Sequence, residues 1–273
     1  MVDPKAFQDF EHAGWEAIPG LYHQAFGQLT SQAITSLLDA VDLKKGDKCL
    51  DLASGPGYVA AAAKRRGGIV LGIDFSAAMV AHARELHPGI DFREGNAEDL
   101  PLGNALFDAA VMNFGILHLG NPERALAEAF RVLRPGGRFA FSVWASPEET
   151  SGFGIVLRAV AAFGDPRVAL PEGPPFFRYS DPEECVSGLL AAGFENPTVT
   201  KVAQLWRLPA GDGLFDAMKH STVRTAGLLR AQNPAVLDKI RAAMRSEVAK
   251  YTTGDVVELP MPALIASAVK PKA

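Results

Sequence analysis

Two carboxylates, each at the end of an apolar run and one of them leading into glycines, are the residues of this chain best placed to do chemistry. Asp51 is followed by Leu52-Ala53-Ser54-Gly55-Pro56-Gly57. Glycine has no Cβ, so a ligand can lie directly against the backbone there. A helix starting after Gly57 offers unpaired N–H groups and the positive end of its dipole. Asp74 ends a second apolar run, Ile69 to Asp74. It stands where a carboxylate accepts hydrogen bonds from both ribose hydroxyls of a nucleotide-type cofactor. Asp51 precedes the glycines, where it would welcome an ammonium group and repel a pyrophosphate. Each residue also has a plainer reading, Asp51 as an orderer of its own loop and Asp74 as a helix cap.

The remaining candidates lie further along. Phe75 and Met79 are placed to pack on an adenine face or simply in the core. Gly95-Asn96-Ala97-Glu98-Asp99-Leu100-Pro101 could meet the exocyclic amine of adenine or form a solvated turn. Asn113-Phe114-Gly115-Ile116 ends another apolar run, and Gly115 would let reacting groups approach the backbone. His118 follows, and an imidazole titrates near neutrality, as a general base requires. His118 and His23 are the candidate catalytic residues, each against a structural reading, and Tyr22 could cap the pocket beside His23. His12, His82, His87 and His220 read as solvated. No histidine pair has metal-ligand spacing with acids nearby, so no catalytic metal is expected.

Positioning these residues takes alternating elements. Residues 5–27 and 31–41 read as two N-terminal helices. Strands follow at 48–53, 69–74, 90–93, 107–113 and 138–143. Helices lie between them at 57–66, from Ser76 to His87, and from Asn121 to Arg134 with proline in the favoured first position. Pro135-Gly136-Gly137 reads as a turn. Alternation of this kind predicts a doubly wound α/β sheet with parallel strands and right-handed crossovers. Residues 97–106 are too few for an ordinary crossover helix. Beyond Trp144 come helices at 151–163 and from Asp181 to Gly193, a strand at 198–206, helices at 213–230 and 234–251, and a last strand at 261–269. The long helical stretch between the closing strands suggests a lid.

Bulk properties narrow the function. Hydrophobic residues make up 48% and charged residues 21% of 273, enough for a full core. A net charge of −4 argues against a broad nucleic-acid surface. Cys49 and Cys185 read as reduced, buried thiols. No stretch approaches the ~20 apolar residues that span a bilayer. The start, Met-Val-Asp-Pro-Lys, has no signal-type apolar region, so a cytoplasmic protein is expected.

Four segments together carry a family resemblance: Asp51-Leu52-Ala53-Ser54-Gly55-Pro56-Gly57, Gly72-Ile73-Asp74-Phe75-Ser76, Gly95 to Pro101, and Arg131-Val132-Leu133-Arg134-Pro135-Gly136-Gly137. Their order resembles class I S-adenosylmethionine-dependent methyltransferases, and most of all the small-molecule branch that includes the ubiquinone/menaquinone-biosynthesis enzymes. The resemblance covers roughly residues 20–145. It implies a mostly parallel, seven-stranded Rossmann-like sheet whose last strand is antiparallel. It implies a single domain: N-terminal helices at 1–45, a cofactor-binding core at 46–145, the second half of the sheet at 146–206, a helical lid at 207–255 and the final strand at 256–273. Asp51 and the loop Ala53, Ser54, Gly55, Gly57 would then face the methionine part of S-adenosylmethionine, and Asp74 the ribose. Asn96, Ala97 and Glu98 would flank the adenine, and Asn113 and Phe114 the sulfonium and the acceptor. Ala53 stands where the family commonly has glycine, and Asn96 where it often has aspartate.

The implied activity is methyl transfer to a small organic acceptor, with S-adenosylhomocysteine as product. Strand 107–113 does not end in the Asn/Asp-Pro-Pro-aromatic tetrad of amino-directed relatives, and no strand-end cysteine nucleophile follows it. Phe176, Phe177, Trp206 and Phe215 are candidate apolar contacts for the acceptor. Oxygen, carbon and nitrogen all stay open as the methylated atom, and the oligomeric state is open, with a homodimer as one option. Two alternatives stand beside this one. The first is a non-catalytic S-adenosylmethionine-binding interaction protein. The second is a NAD-dependent oxidoreductase, because Gly55-Pro56-Gly57-Tyr58-Val59-Ala60 also fits a dinucleotide fingerprint, although no Tyr-x-x-x-Lys occurs in the second half.

Overall fold

The computed structural model describes residues 4–272. Three helices lead in: α1 (Pro4–Ala17), α2 (Pro19–Thr30) and α3 (Ile34–Ala40). The sequence suggested one helix over 5–27. It breaks at Ile18 because Pro19 has no N–H to continue α1 and instead starts α2.

Strand and helix then alternate: β1 (Lys48–Leu52), α4 (Tyr58–Arg65), β2 (Ile69–Asp74), α5 (Ala77–Leu86), β3 (Asp91–Glu94), β4 (Phe107–Asn113), α6 (Pro122–Val132) and β5 (Leu133–Trp144). Caps explain the helix starts. Ser76 Oγ accepts from the Met79 N–H at 3.0 Å, and Asn121 Oδ1 from the Arg124 N–H at 3.1 Å. The second half adds α7 (Ser151–Phe163), α8 (Pro182–Ala191), β6 (Glu195–Val202), β7 (Leu205–Pro209), α9 (Gly213–His220), α10 (Arg224–Arg230), α11 (Pro234–Val248), β8 (Thr252–Thr253), β9 (Val256–Pro260) and β10 (Ala263–Val269).

Seven strands form one sheet in the order β3-β2-β1-β4-β5-β10-β6, parallel as far as β5. β10, the last strand of the chain, runs antiparallel to both β5 and β6. From β1 the chain winds outward through β2 and β3, then returns to lay β4 on the other side of β1. This reversal opens a crevice at the carboxyl ends of β1 and β4.

Successive strand residues face opposite layers. Cys49, Ala109, Val111 and Ala140 pack with Leu37, Leu38 and Val59 from α3 and α4. Leu50, Ala110, Met112, Phe139 and Phe141 pack on the other side with Leu126, Ala129 and Leu189 of α6 and α8. Each large side chain so buried contributes roughly 1.5–3 kcal/mol. Both cysteines are buried and unpaired, and burial raises the Cys185 thiol to about 12.

The β3–β4 crossover has no helix, in keeping with its shortness. Its loop is pinned by Arg131, whose Nη1 donates to the Leu102 carbonyl at 2.7 Å and whose Nη2 donates to that of Leu100 at 3.1 Å. Three other readings of the sequence are corrected. Pro135-Gly136-Gly137 is an irregularity inside β5, with Gly136 at φ +81°, where the pairing with β4 changes register. The segment 198–206 is not one strand: β6 joins the main sheet, and β7 joins a small antiparallel sheet with β9 and β8. The stretch 207–255 is therefore not wholly helical, and its first helix is interrupted at 221–223.

Candidate active site

Asp51 and Asp74 meet because their strands pair in register. Asp51 lies opposite Gly72 and Leu52 opposite Ile73, so Asp74 follows one step on at the neighbouring strand tip. Both are buried, at 1% and 5% exposure, and both line one cavity at the carboxyl edge of the sheet.

Their hydrogen bonds differ. Asp51 Oδ2 accepts from the Ala60 N–H at 2.9 Å, in the first turn of α4, whereas its Oδ1 is buried with no partner. Asp74 Oδ2 accepts from the Gly55 N–H at 2.8 Å, and Oδ1 from the Ser76 N–H at 3.0 Å. Each Asp74 oxygen keeps a second lone pair for a ligand hydroxyl. Burial, opposed by the Ala60 hydrogen bond and reinforced by the charge of Asp74, pushes the Asp51 carboxyl up to about 8. Burial likewise raises Asp74, against its two backbone donors, to about 6. An unpartnered carboxylate oxygen in a buried wall costs free energy unless a donor completes it. The ammonium of an amino-acid-type cofactor is such a donor.

The loop between the two carboxylates is shaped by its backbone. Ala53 takes φ +50° and Gly55 φ +49°. A Cβ on Gly55 would project into open space, so its bare backbone forms part of the cavity wall. Ala53 adopts the left-handed conformation that glycine adopts readily, a strain of about 1–2 kcal/mol in an alanine. Phe114, at the tip of β4, is also left-handed, at φ +54°. Its N–H is held by the Ser142 Oγ at 3.0 Å, and its ring stacks on Trp144 with centroids 4.0 Å apart. Strained non-glycine residues of this kind persist where surrounding packing over-determines them, often at functional sites. Gly115 must be glycine here, because a Cβ would stand 2.6 Å from that of Ala53.

The structure brings Tyr22, Asp51, Ala53, Ser54, Gly55, Asp74, Phe75, Met79, Asn96, Ala97, Asn113, Phe114 and His118 into this one cavity. It does not bring three others. Gly57 faces away, with Phe92 packed where its Cβ would be. Glu98 turns to the protein, accepting from the Gly120 N–H at 2.8 Å and the Asn121 N–H at 3.1 Å. His23 is exposed outside the cavity, and its Nδ1 is bonded to the Tyr58 hydroxyl. Of the four histidines read as solvated, His12 and His220 are exposed. His82 and His87 are half-buried, with their Nε2 atoms sealed from solvent. Among the aromatic candidates Phe176 lines the cavity, while Trp206 and Phe215 are buried in the core and Phe177 packs half-buried against it. Trp206 is anchored by its Nε1, which donates to the Ala25 carbonyl at 2.9 Å.

His118 has a partner that the sequence did not disclose. Its Nδ1 lies 3.0 Å from Oε2 of Glu11, a fully buried carboxylate on α1. The same oxygen accepts from Trp15 Nε1 at 3.0 Å, and Oε1 accepts from Arg224 Nε at 3.0 Å. With Nδ1 engaged, Nε2 is the ring nitrogen left for chemistry. Trp15, Thr30, Phe153 and the segment Ser221–Thr225 also line the cavity. The cover is thus made by α1, α2 and the break between α9 and α10, and its closeness is measured at Gly14, where a Cβ would stand 2.5 Å from Val223.

Residues 50–141 match the family described as a methyltransferase domain. Over this span the chain is similar to that family. A demethylmenaquinone methyltransferase of Paenarthrobacter aurescens is 38% identical over 111 residues, 41% of this chain and 44% of that protein. The ubiquinone/menaquinone biosynthesis C-methyltransferase UbiE of Methylobacterium nodulans is 47% identical over 100 residues, 34% of this chain and 40% of that protein. The chain thus spans about half or less of the length of these relatives. Among solved structures, the phosphoethanolamine N-methyltransferase 2 of Haemonchus contortus with S-adenosyl-L-methionine covers 97% of this chain and 60% of its own, at TM-score 0.57 and 18% identity. The [4+2]-cyclase SpnF covers 91% of this chain and 84% of its own, at TM-score 0.56 and 22% identity. At such identities these two structures speak to the fold alone. It is a seven-stranded, Rossmann-like methyltransferase fold.

Proposed function

We propose that the protein transfers a methyl group from S-adenosylmethionine to a small apolar acceptor bound beneath α1, α2 and the α9–α10 break. The observation that carries this reading is the pair of buried carboxylates at adjacent strand tips, one with an oxygen lacking any donor. An ammonium completes Asp51, and a ribose diol finds two acceptor oxygens on Asp74. Asn96, Ala97, Phe75 and Met79 offer a slot for a purine. A pyrophosphate beside Asp51 would meet a buried acid instead of a bare anion-binding helix start, which disfavours the dinucleotide alternative.

When bound, S-adenosylmethionine supplies a methyl group already activated by its sulfonium. The protein's part is then mostly placement. Holding a nucleophile in line is worth about 7–11 kcal/mol. Phe114, Trp144, Phe153 and Phe176 supply an apolar wall that excludes water from the transfer. An acceptor that must lose a proton can give it to His118 Nε2. Glu11 fixes the tautomer through Nδ1 and stabilises the imidazolium that forms.

A single domain spanning the chain, acting in the cytoplasm, is part of the same proposal. Among the described residues, no helix is long and apolar enough to cross a membrane. The decisive experiment is calorimetric titration with S-adenosylmethionine and with NAD. We expect S-adenosylmethionine to bind and Asp74→Ala to weaken it about 10–100-fold, the value of one or two charge-assisted bonds. Binding of NAD alone would overturn the reading.

A further inference from the structure

Arg224 is a cavity residue to which methyl transfer gives no task. It opens α10 directly after the break at 221–223 and lines the cavity. Its guanidinium is fixed from several sides. Nε donates to Glu11 Oε1 at 3.0 Å, and Nη1 donates to the Pro174 carbonyl at 2.8 Å. The guanidinium carbon lies 4.2 Å from the ring centre of Phe7 and 5.7 Å from that of Phe176. Nη2, however, is buried and has no hydrogen-bond partner. Guanidinium carries only donors, so this nitrogen can be completed by nothing but an acceptor, and best by an anionic oxygen.

A continuous run of rings leads from this nitrogen to the proposed site of transfer. Phe176 meets Phe153 at 5.4 Å, Phe153 meets Trp144 at 5.6 Å, and Trp144 stacks on Phe114 at 4.0 Å. All four line the cavity. One end of the wall is the tip of β4, beside the cofactor carboxylates. The other end is a cation with an unused donor.

We propose that the methyl acceptor is an apolar, ring-bearing acid whose carboxylate is held by Arg224 Nη2 while its body lies along the Phe176–Phe153–Trp144–Phe114 wall. This names the acceptor class for the methyl-transfer reading and rests on that reading. Glu11 takes the Nε edge and Pro174 takes Nη1, so the grip is a single charge-assisted bond. Glu11 also neutralises the guanidinium overall, so discrimination comes from the unmet donor and not from net charge. The expected preference for an anion over its neutral counterpart is therefore about tenfold to a hundredfold.

The test uses the full chain saturated with S-adenosylhomocysteine, whose own binding is measured first. 2-Naphthoate and its neutral counterpart 2-naphthalenemethanol are then titrated by calorimetry. Wild-type protein should bind the acid at least tenfold more tightly. Replacing Arg224 alone would strand the Glu11 carboxylate, so the variant is Glu11→Gln with Arg224→Met. It should lose the preference while its affinities for the alcohol and for S-adenosylhomocysteine stay within threefold. Equal affinity of wild type for the two probes, no binding of 2-naphthoate, or a preference surviving in the double variant would overturn the proposal. The comparison of probes on wild type stands even if the variant does not fold. Failure to bind S-adenosylhomocysteine would instead count against the methyl-transfer reading itself.

Discussion

Binding of S-adenosylmethionine should expel a proton from the protein. In the free protein burial holds Asp51 at about 8 and Asp74 at about 6. A carboxyl titrating at about 8 is ~90% protonated at pH 7. Its unpartnered Oδ1 cannot then give an ammonium a full negative charge. Binding favours the ionised form, because a nearby cation lowers a carboxyl pKa. The sign follows: affinity rises with pH until the free-state value of Asp51 is reached. One proton released corresponds to about tenfold in Kd per pH unit, or ~1.4 kcal/mol. Asp74 contributes a second such dependence only below about pH 6.

The assay is calorimetric titration from pH 6.5 to 7.5, each point repeated in two buffers with different ionisation heats. The range stops there because the α-amine of the ligand itself titrates near 8. We expect about 0.9 proton released at pH 7 and close to a tenfold gain in affinity across the range. Asp51→Asn should flatten the slope to under about threefold, since an amide has no proton to lose. Affinity constant within about twofold, with heats independent of buffer, would refute the assignment of the ammonium to Asp51.

Three further outcomes are expected. Asp74 has its value raised on folding, so its contribution to stability is fully present below about pH 4 and is lost as pH rises to about 6. From the usual 3.8 to about 6 is some two units, so wild type should lose about 3 kcal/mol more than Asp74→Asn between pH 4 and 7 in denaturant titrations; equal losses would contradict the burial argument. Gly115→Ala places a methyl 2.6 Å from the Ala53 Cβ and should cost about 1–3 kcal/mol, with Ala53→Gly in the same chain recovering at least half of it in a double-mutant cycle. Glu11→Ala leaves Arg224 without its buried carboxylate and should cost about 3–5 kcal/mol by chemical unfolding; a loss under 1 kcal/mol would mean that the ion pair is not closed in solution.

The sheet was legible where local chemistry decides structure. β2 and β4 carry boundaries that match the sequence reading residue for residue, because each is an apolar run closed by punctuation: Gly68 before Ile69, and the capped starts at Ser76 and Asn121 after the strands. The pattern is ambiguous where the punctuation is weak. Ala203-Gln204 separates β6 from β7 with neither glycine nor proline, so two strands in different sheets looked like one. β9 ends in Pro260 and is only five residues long, a pattern easily absorbed into the strand that follows. Pro19 lay in plain view, yet the apolar spacing on either side of it hid the break.

The site divides along the same line. Asp51, Asp74 and Phe114 lie at or just past the ends of paired strands and Gly55 in the loop after β1, so strand-end position and the family resemblance together single them out. Gly57 and Glu98 lie in the same motifs but serve the fold, packing on Phe92 and capping the 120–121 backbone respectively. No local pattern distinguishes a loop glycine that bares its backbone from one that makes room for a ring. Glu11 and Arg224 carry no local signal: they are 213 positions apart, and each taken alone resembles a solvated helix residue.

That division bears on what relatives can say about the acceptor. The methyltransferase-domain match, residues 50–141, contains Asp51, Asp74, Phe114 and His118. It contains neither Glu11 nor Arg224, nor Phe153 and Phe176. The carboxylates proposed to hold the cofactor therefore lie inside the matched region, whereas of the residues proposed to meet the acceptor only Phe114 and His118 do, and the rest come from the chain on either side of it. His118 is the one catalytic candidate in the shared region, and its orientation depends on Glu11, outside it. If the dyad acts as proposed, Glu11→Gln should leave S-adenosylmethionine affinity unchanged within about twofold while lowering turnover about tenfold or more, because the ring loses the carboxylate that holds its Nδ1. Turnover equal to wild type, with the affinity retained, would mean that the acceptor loses its proton without His118 and that Glu11 serves Arg224 alone.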